Sequence, residues 1–78
     1  MKVLIKSAWG SDDPTKAAFA FLHGNAFAEA GHEVQIFLLG EAVSLMKTEV
    51  MMVVTPVGWP HLSEIMPKSV AHNIPIHV

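Results

Sequence analysis

The feature that most constrains this chain is a pair of short apolar runs separated by one long helix pattern with clear start and stop signals. Val3-Leu4-Ile5-Lys6-Ser7-Ala8 is rich in aliphatic and β-branched residues and is bounded by the turn-forming stretch Trp9-Gly10-Ser11-Asp12-Asp13-Pro14. It reads as a first strand, apolar enough to be buried on both faces. Asp13-Pro14 then marks a helix start, because Asp accepts free backbone N–H groups as N-cap and Pro at the first helical position has no N–H to leave unpaired. The helix is expected from about Pro14 to Ala30, with Phe19, Leu22, Ala26 and Ala30 on its apolar stripe, and Gly31 supplies a left-handed stop. His32–Leu39 follows at once as a second strand. Two strands joined through one helix by short connections predict a parallel pair with a right-handed crossover.

Beyond Gly40 the pattern loosens. Glu41–Lys47 predicts a second helix, and Thr48–Thr55 reads either as a strand or as an apolar flap. Pro56-Val57-Gly58-Trp59-Pro60 is a loop on any reading. His61–His72 has helical spacing through Leu62, Ile65, Met66 and Val70, but Pro67 is expected to break or kink it. Asn73 suits a left-handed cap, and Ile74–Val78 reads as a third strand with Pro75 near its start. The expected fold class is therefore α/β, a three-layer α/β/α arrangement on a parallel sheet, incomplete as it stands. The 78 residues form a single domain with no internal repeat and no linker.

Size sharpens the question of where the apolar residues go. A chain of 8.5 kDa folds to roughly 4,600 Å² from roughly 12,300 Å² unfolded, burying about 62%. Domains this small usually add disulfides, a metal or a partner surface. Cysteine is absent, although 51% of the residues are hydrophobic. That pairing points to association, or to a missing remainder of the domain. Val50–Val54 is too apolar to sit in water, and Trp59 lies on a loop bounded by Gly58 and Pro60, so Met51, Met52, Val54 and Trp59 are the expected interface of a homo-oligomer.

Charge excludes other classes. Five Lys, no Arg and seven acids give a net charge of −2, without the Arg-containing basic patch of a nucleic-acid binder. No apolar run approaches the ~18 residues of a membrane span, and the first residues lack a signal-peptide pattern. A cytoplasmic location is the default expectation, with neither nucleic acid nor membrane as a partner.

In open parallel sheets, ligands bind outside the carboxyl ends of the strands. Trp9, Gly10, Asp12 and Asp13 after the first strand and Gly40 and Glu41 after the second are the candidate ligand-binding residues there. Both segments lead into helix starts that favour anions. The competing reading makes the glycines turns and the acids caps, and Glu41 itself works against a phosphate. Neither a Gly-rich dinucleotide fingerprint nor a P-loop is present. The five His show no HxxxH or HExxH spacing, so no metal site and no cofactor are expected. No catalytic arrangement follows from spacing.

Taken in order, Lys2-Val3-Leu4-Ile5, Gly10-Ser11-Asp12-Asp13-Pro14-Thr15-Lys16-Ala17, Ala28-Glu29-Ala30-Gly31-His32-Glu33-Val34 and Phe37-Leu38-Leu39-Gly40-Glu41-Ala42-Val43 resemble the DsrE/DsrF-like family. Gly58-Trp59-Pro60-His61-Leu62 and Asn73–Val78 look like its later loop and third strand. The resemblance implies a three-layer α/β fold, flavodoxin-like in general architecture, and trimers or hexamers. It also implies sulfur relay, a sulfurtransferase-like activity, through a cysteine persulfide exchanged with a sulfur-carrier protein. In many members the cysteine directly follows the strand that Ile74–Val78 resembles. This chain stops at Val78, so the reactive cysteine is expected outside it, in a longer domain of which these residues are the amino-terminal part. The alternative is a non-catalytic module on the same scaffold, forming oligomers or binding a small anion.

Overall fold

The computed structural model describes all 78 residues. It contains β1 (Lys2–Ser7), α1 (Pro14–Glu29), β2 (Glu33–Leu38), a 3₁₀ segment (Gly40–Met46), the single-turn α2 (Thr48–Met51), α3 (Leu62–Ala71) and β3 (Ile76–His77). The three strands form one parallel sheet in the order β1-β2-β3. The protein is thus a small α/β fold, as the connection lengths predict. No helix is long and apolar enough to cross a membrane.

Local chemistry sets the bounds of α1. The Asp13 carboxylate accepts from the Lys16 amide at 3.1 Å, Pro14 opens the helix, and Gly31 closes it at φ +91°. The amides of Gly31 and His32 return to the carbonyls of Ala28 and Phe27, at 3.0 Å each. The buried stripe differs from the expected one. Ala17, Ala18, Ala20, Phe21, Gly24 and Asn25 face inward, Phe19 and Leu22 are half-buried, and Ala26 and Ala30 are exposed. Small residues win this face because the helix lies close on the sheet: a Cβ on Gly24 would stand 3.2 Å from Ile36 Cδ1. The buried Asn25 is satisfied by α3, donating to the Ile65 carbonyl at 3.2 Å and accepting from the Ser69 hydroxyl at 2.6 Å.

Three later segments also depart from expectation. Gly40–Met46 is 3₁₀ rather than α. No side chain caps it, and the Ser44 hydroxyl donates to the Glu41 carbonyl three residues back at 2.7 Å. Ala42 and Leu45, one 3₁₀ turn apart, are its buried residues. Thr48–Thr55 is neither a strand nor a flap: α2 occupies its first half, and Val54 is buried in the core. Helix α3 runs unbroken through Pro67, which is exposed and forfeits only the bond it would have donated to the Ser63 carbonyl. Ser69 rather than Val70 completes its inner face, and Asn73 takes the left-handed conformation at φ +57°.

The register lines up Ile5, Ile36 and Ile76 across the sheet, with Val3 beside Val34 on the same face. These residues meet α1 and α3. On the other face, Lys2, Leu4 and Lys6 of β1 and Glu33 and Gln35 of β2 are exposed, and Phe37 is half-buried. The expected third layer is missing from this chain for a topological reason. Right-handed crossovers that add strands in one direction place both helices on the same side, and the order β1-β2-β3 never reverses. The accessible surface of 4690 Å² matches the size rule, so the exposed apolar residues do not reflect loose packing.

Phe21→Ala is expected to lower the unfolding free energy by about 3–5 kcal/mol. Phe19→Ala and Leu22→Ala, at half-buried positions, should each lose no more than about half as much. Urea unfolding at one fixed protein concentration checks this. Equal losses at Phe19 and Phe21 would put α1 in a different register.

Candidate functional site

The carboxyl ends of β1 and β2 lead into the two segments that the sequence nominates, and the fold brings them into contact. Gly10 is buried against the following turn, where an added Cβ would collide with the Glu41 carbonyl oxygen and press on the Ser44 hydroxyl. Close approach, rather than unusual torsion, is what requires glycine there. Gly40 does adopt a left-handed backbone, φ +50°. The Leu39 amide donates to the Ser7 carbonyl at 2.9 Å, which extends the β1–β2 pairing to the very base of the two turns.

Two acids of this rim, Asp12 and Asp13, are engaged with their own backbone. Asp12 Oδ1 accepts from the Gly10 amide at 2.7 Å, and the Asp13 amide donates to the Gly10 carbonyl at 3.1 Å. Asp13 Oδ1 caps α1, while its Oδ2 lies 3.9 Å from Lys16 Nζ. Glu41 is exposed, with its carbonyl taken by Ser44. Because the strand order does not reverse, the two connections do not diverge to open a crevice between them. Of the six rim residues, only Trp9 lines a cavity.

That cavity lies to one side, along the unpaired edge of β1. It is a groove of about 320 Å³ between β1 and α1, walled by Ile5, Lys6 and Ser7 on the strand and by Lys16, Phe19 and His23 on the helix. Lys16 Nζ sits 5.0 Å from the Trp9 ring centroid, and Phe19 stacks on His23 with centroids 5.4 Å apart. The Ser7 hydroxyl is buried without a hydrogen-bond partner. Sequence reasoning passed over this groove. The signal available was the spacing of Lys16, Phe19, Ala20 and His23 at i, i+3, i+4 and i+7, one helix face carrying charge, aromatic and imidazole together.

A second groove, about 450 Å³, runs between α1 and α3, with Leu22, Ala26 and Ile65 on its floor and Trp59 as a wall. The loop bearing Trp59 crosses the helical layer, held by the Val57 amide donating to the Thr15 hydroxyl at 3.0 Å. Among the residues expected at an interface, Val54 is buried within its own chain and Met51 packs half-buried against the core, whereas Met52 and Trp59 are exposed. The histidines have separate neighbours: His61 bonds Thr55, His72 faces Glu29 and His77 bonds Gln35. No three His, Cys, Asp or Glu side chains converge.

Compared with protein families, with curated proteins and with solved structures, the chain matches none.

Gly10→Ala should destabilise the fold by about 1–3 kcal/mol, since the opposing group is backbone and cannot rotate away. Asp13→Ala should cost about 1 kcal/mol through the lost cap. Thermal unfolding followed by circular dichroism tests both, and a neutral Gly10→Ala would mean that the two turns are not in contact.

Proposed function

We propose that this chain is a non-catalytic assembly module in which a second copy covers the bare face of the sheet. A single observation carries the reading. Parallel sheets occur almost only with both faces covered, yet here Leu4 is 56% exposed and Leu39 43%, with no helix of the chain above them. Lys2 lies beside Glu33 and Leu4 beside Gln35 in the register, so a two-fold-related copy can meet opposite charges and polar groups around Leu4, Phe37 and Leu39.

Area decides how far the contact must extend. A stable interface buries at least about 1,000 Å² in total, about 500 Å² from each copy. Two strands of six residues and one of two, about 4.8 Å apart at about 3.3 Å per residue, give a footprint of roughly 220 Å². The face therefore needs its neighbours along the chain. Val43 and Met46 on the 3₁₀ segment and Met1 before β1 are exposed apolar residues that can enlarge it. Trp59 at the groove between α1 and α3, and the exposed Met52, offer further surface through which dimers would join into the larger assemblies that the family resemblance implies.

Sulfur relay is the second reading, favoured by one feature. With all strands parallel, the carboxyl end of β3 lies at the same end of the sheet as Trp9–Pro14 and Gly40–Glu41. The family resemblance puts the sulfur-carrying cysteine just beyond that strand. This chain holds no cysteine, so the thiol has to come from polypeptide outside these residues. Mass spectrometry of the protein from its natural source, after exposure to a persulfide donor, tests this: one added sulfur on a cysteine supports it, and none overturns it.

For the assembly reading, sedimentation equilibrium at tens of micromolar is expected to show a dimer or larger species. Leu4→Asp should dissociate the sheet-face contact, because an unpaired carboxylate in an apolar interface is costly to desolvate. Met52→Asp should leave at least the dimer. A monomeric parent chain, or dissociation to monomer by Met52→Asp with Leu4→Asp silent, would overturn the sheet face as the contact.

A further inference from the structure

The edge of β1 that faces away from β2 carries unpaired backbone beside the aromatic and basic groove. The carbonyls of Met1 and Ser7 accept from the amides of Glu33 and Leu39, at 3.0 and 2.9 Å. Odd-numbered residues of β1 therefore point their backbone groups at β2. By the alternation of a parallel ladder, the N–H and C=O groups of Lys2, Leu4 and Lys6 point the other way, and no strand pairs with them. The groove runs along this edge on the helix side. A strand added here would form main-chain bonds with Lys2, Leu4 and Lys6 and would send alternate side chains toward Ile5 and Phe19.

Charge selects the occupant. Lys6 and Lys16 both line the groove, Lys2 lies four residues back along the same strand, and no carboxylate lines the groove, Asp13 standing 3.9 Å from Lys16 Nζ outside it. A second copy of β1 is disfavoured, because antiparallel pairing about Leu4 would set Lys2 directly opposite Lys6 of the other copy, twice. We propose that the β1 edge and its groove bind an extended acidic peptide segment by strand addition. Two acidic residues four apart would lie opposite Lys2 and Lys6, with an apolar residue between them entering the groove against Ile5 and Phe19. The unpartnered hydroxyl of Ser7, in the groove wall and only 5% exposed as a residue, gives a polar side chain of the incoming strand a group to meet. The main-chain bonds and the groove lie at the edge and on the helix side, while the acidic side chains would meet Lys2 and Lys6 at the margin of the bare face.

The test uses the isotope-labelled chain and a capped peptide of sequence EVTVE, which presents the same pattern in either direction. Titration followed by nuclear magnetic resonance should shift the amides of Lys2, Leu4 and Lys6 and slow their hydrogen exchange, with affinity falling as salt is raised. The capped peptide KVTVK should bind roughly tenfold more weakly, and K2E/K6E should reverse that preference. Leu4→Pro, placed where the edge amide faces solvent, should keep the fold by circular dichroism and abolish binding of both peptides. Equal affinity for the two peptides, shifts confined to the bare face or to the Trp59 groove, or undiminished binding to folded Leu4→Pro would each overturn the proposal.

Discussion

A buried amide between two helices fixes the arrangement of everything after β2. Asn25 lies on the inner face of α1, and its side chain is completed only by α3, through the Ile65 carbonyl and the Ser69 hydroxyl. A buried polar group left unpaired costs about 1–3 kcal/mol, so α3 is held in the one rotation that presents Ser69 inward. That rotation buries Leu62, Ile65 and Met66 and leaves Val70 in solvent. It also sets the two ends of the helix. The Leu62 amide reaches the Val54 carbonyl at 3.1 Å, anchoring the preceding loop, and the Ile74 amide reaches the Ser69 carbonyl at 3.1 Å, turning the chain into β3.

With α1 and α3 clamped together on one side, the direction of strand addition governs where chemistry can occur. A sheet whose order reverses opens a crevice at the reversal. This sheet does not reverse, and its two upper turns close on each other through Gly10 and Glu41. Asp12 and Asp13 at that rim hold the first turn and cap α1 with their carboxylates. Concavity appears at the flanks: between β1 and α1, and between α1 and α3. A fold this small thus offers recognition surfaces along its edges and on its bare face rather than an enclosed site.

What could be read from the sequence follows from the range of the interaction concerned. Asp13, Pro14, Gly31 and Asn73 act within a few residues, and each behaves as its local chemistry dictates. Parallel pairing was legible because connection length alone restricts it. The inner face of α1 was not legible, since Phe19 and Leu22 are the larger apolar residues, while close contact with Ile36 selects Ala17, Ala18 and Gly24. Asn25 reads as polar, hence outward, until its partners some forty residues away are known. The same holds at the rim. The capping role of Asp13 is local and was foreseeable, but the contact of Gly10 with Glu41 joins the ends of two strands and depends on their register. Val54 is expected at an interface because the whole Val50–Val54 run is apolar, yet its side chain fills the core while Met52 and Val53 stay exposed.

The placement of lysines separates the surfaces by kind. Lys2 and Lys6 flank Leu4 on the bare side of an edge strand, and Glu33 and Gln35 stand beside them on the central strand. Edge lysines oppose the pairing of identical strands, and Leu4, Phe37 and Leu39 favour contact across the face. The two effects act on perpendicular directions of approach. Stacking face to face can close as a pair, whereas edge-to-edge growth in parallel register would continue indefinitely. The same lysines that repel a second β1 attract carboxylates, which is why the open edge is selective among extended segments rather than merely blocked. In a chain with half its residues hydrophobic and no disulfide, two residues of one strand thus oppose the pairing of identical edges while the face beside them stays open to contact.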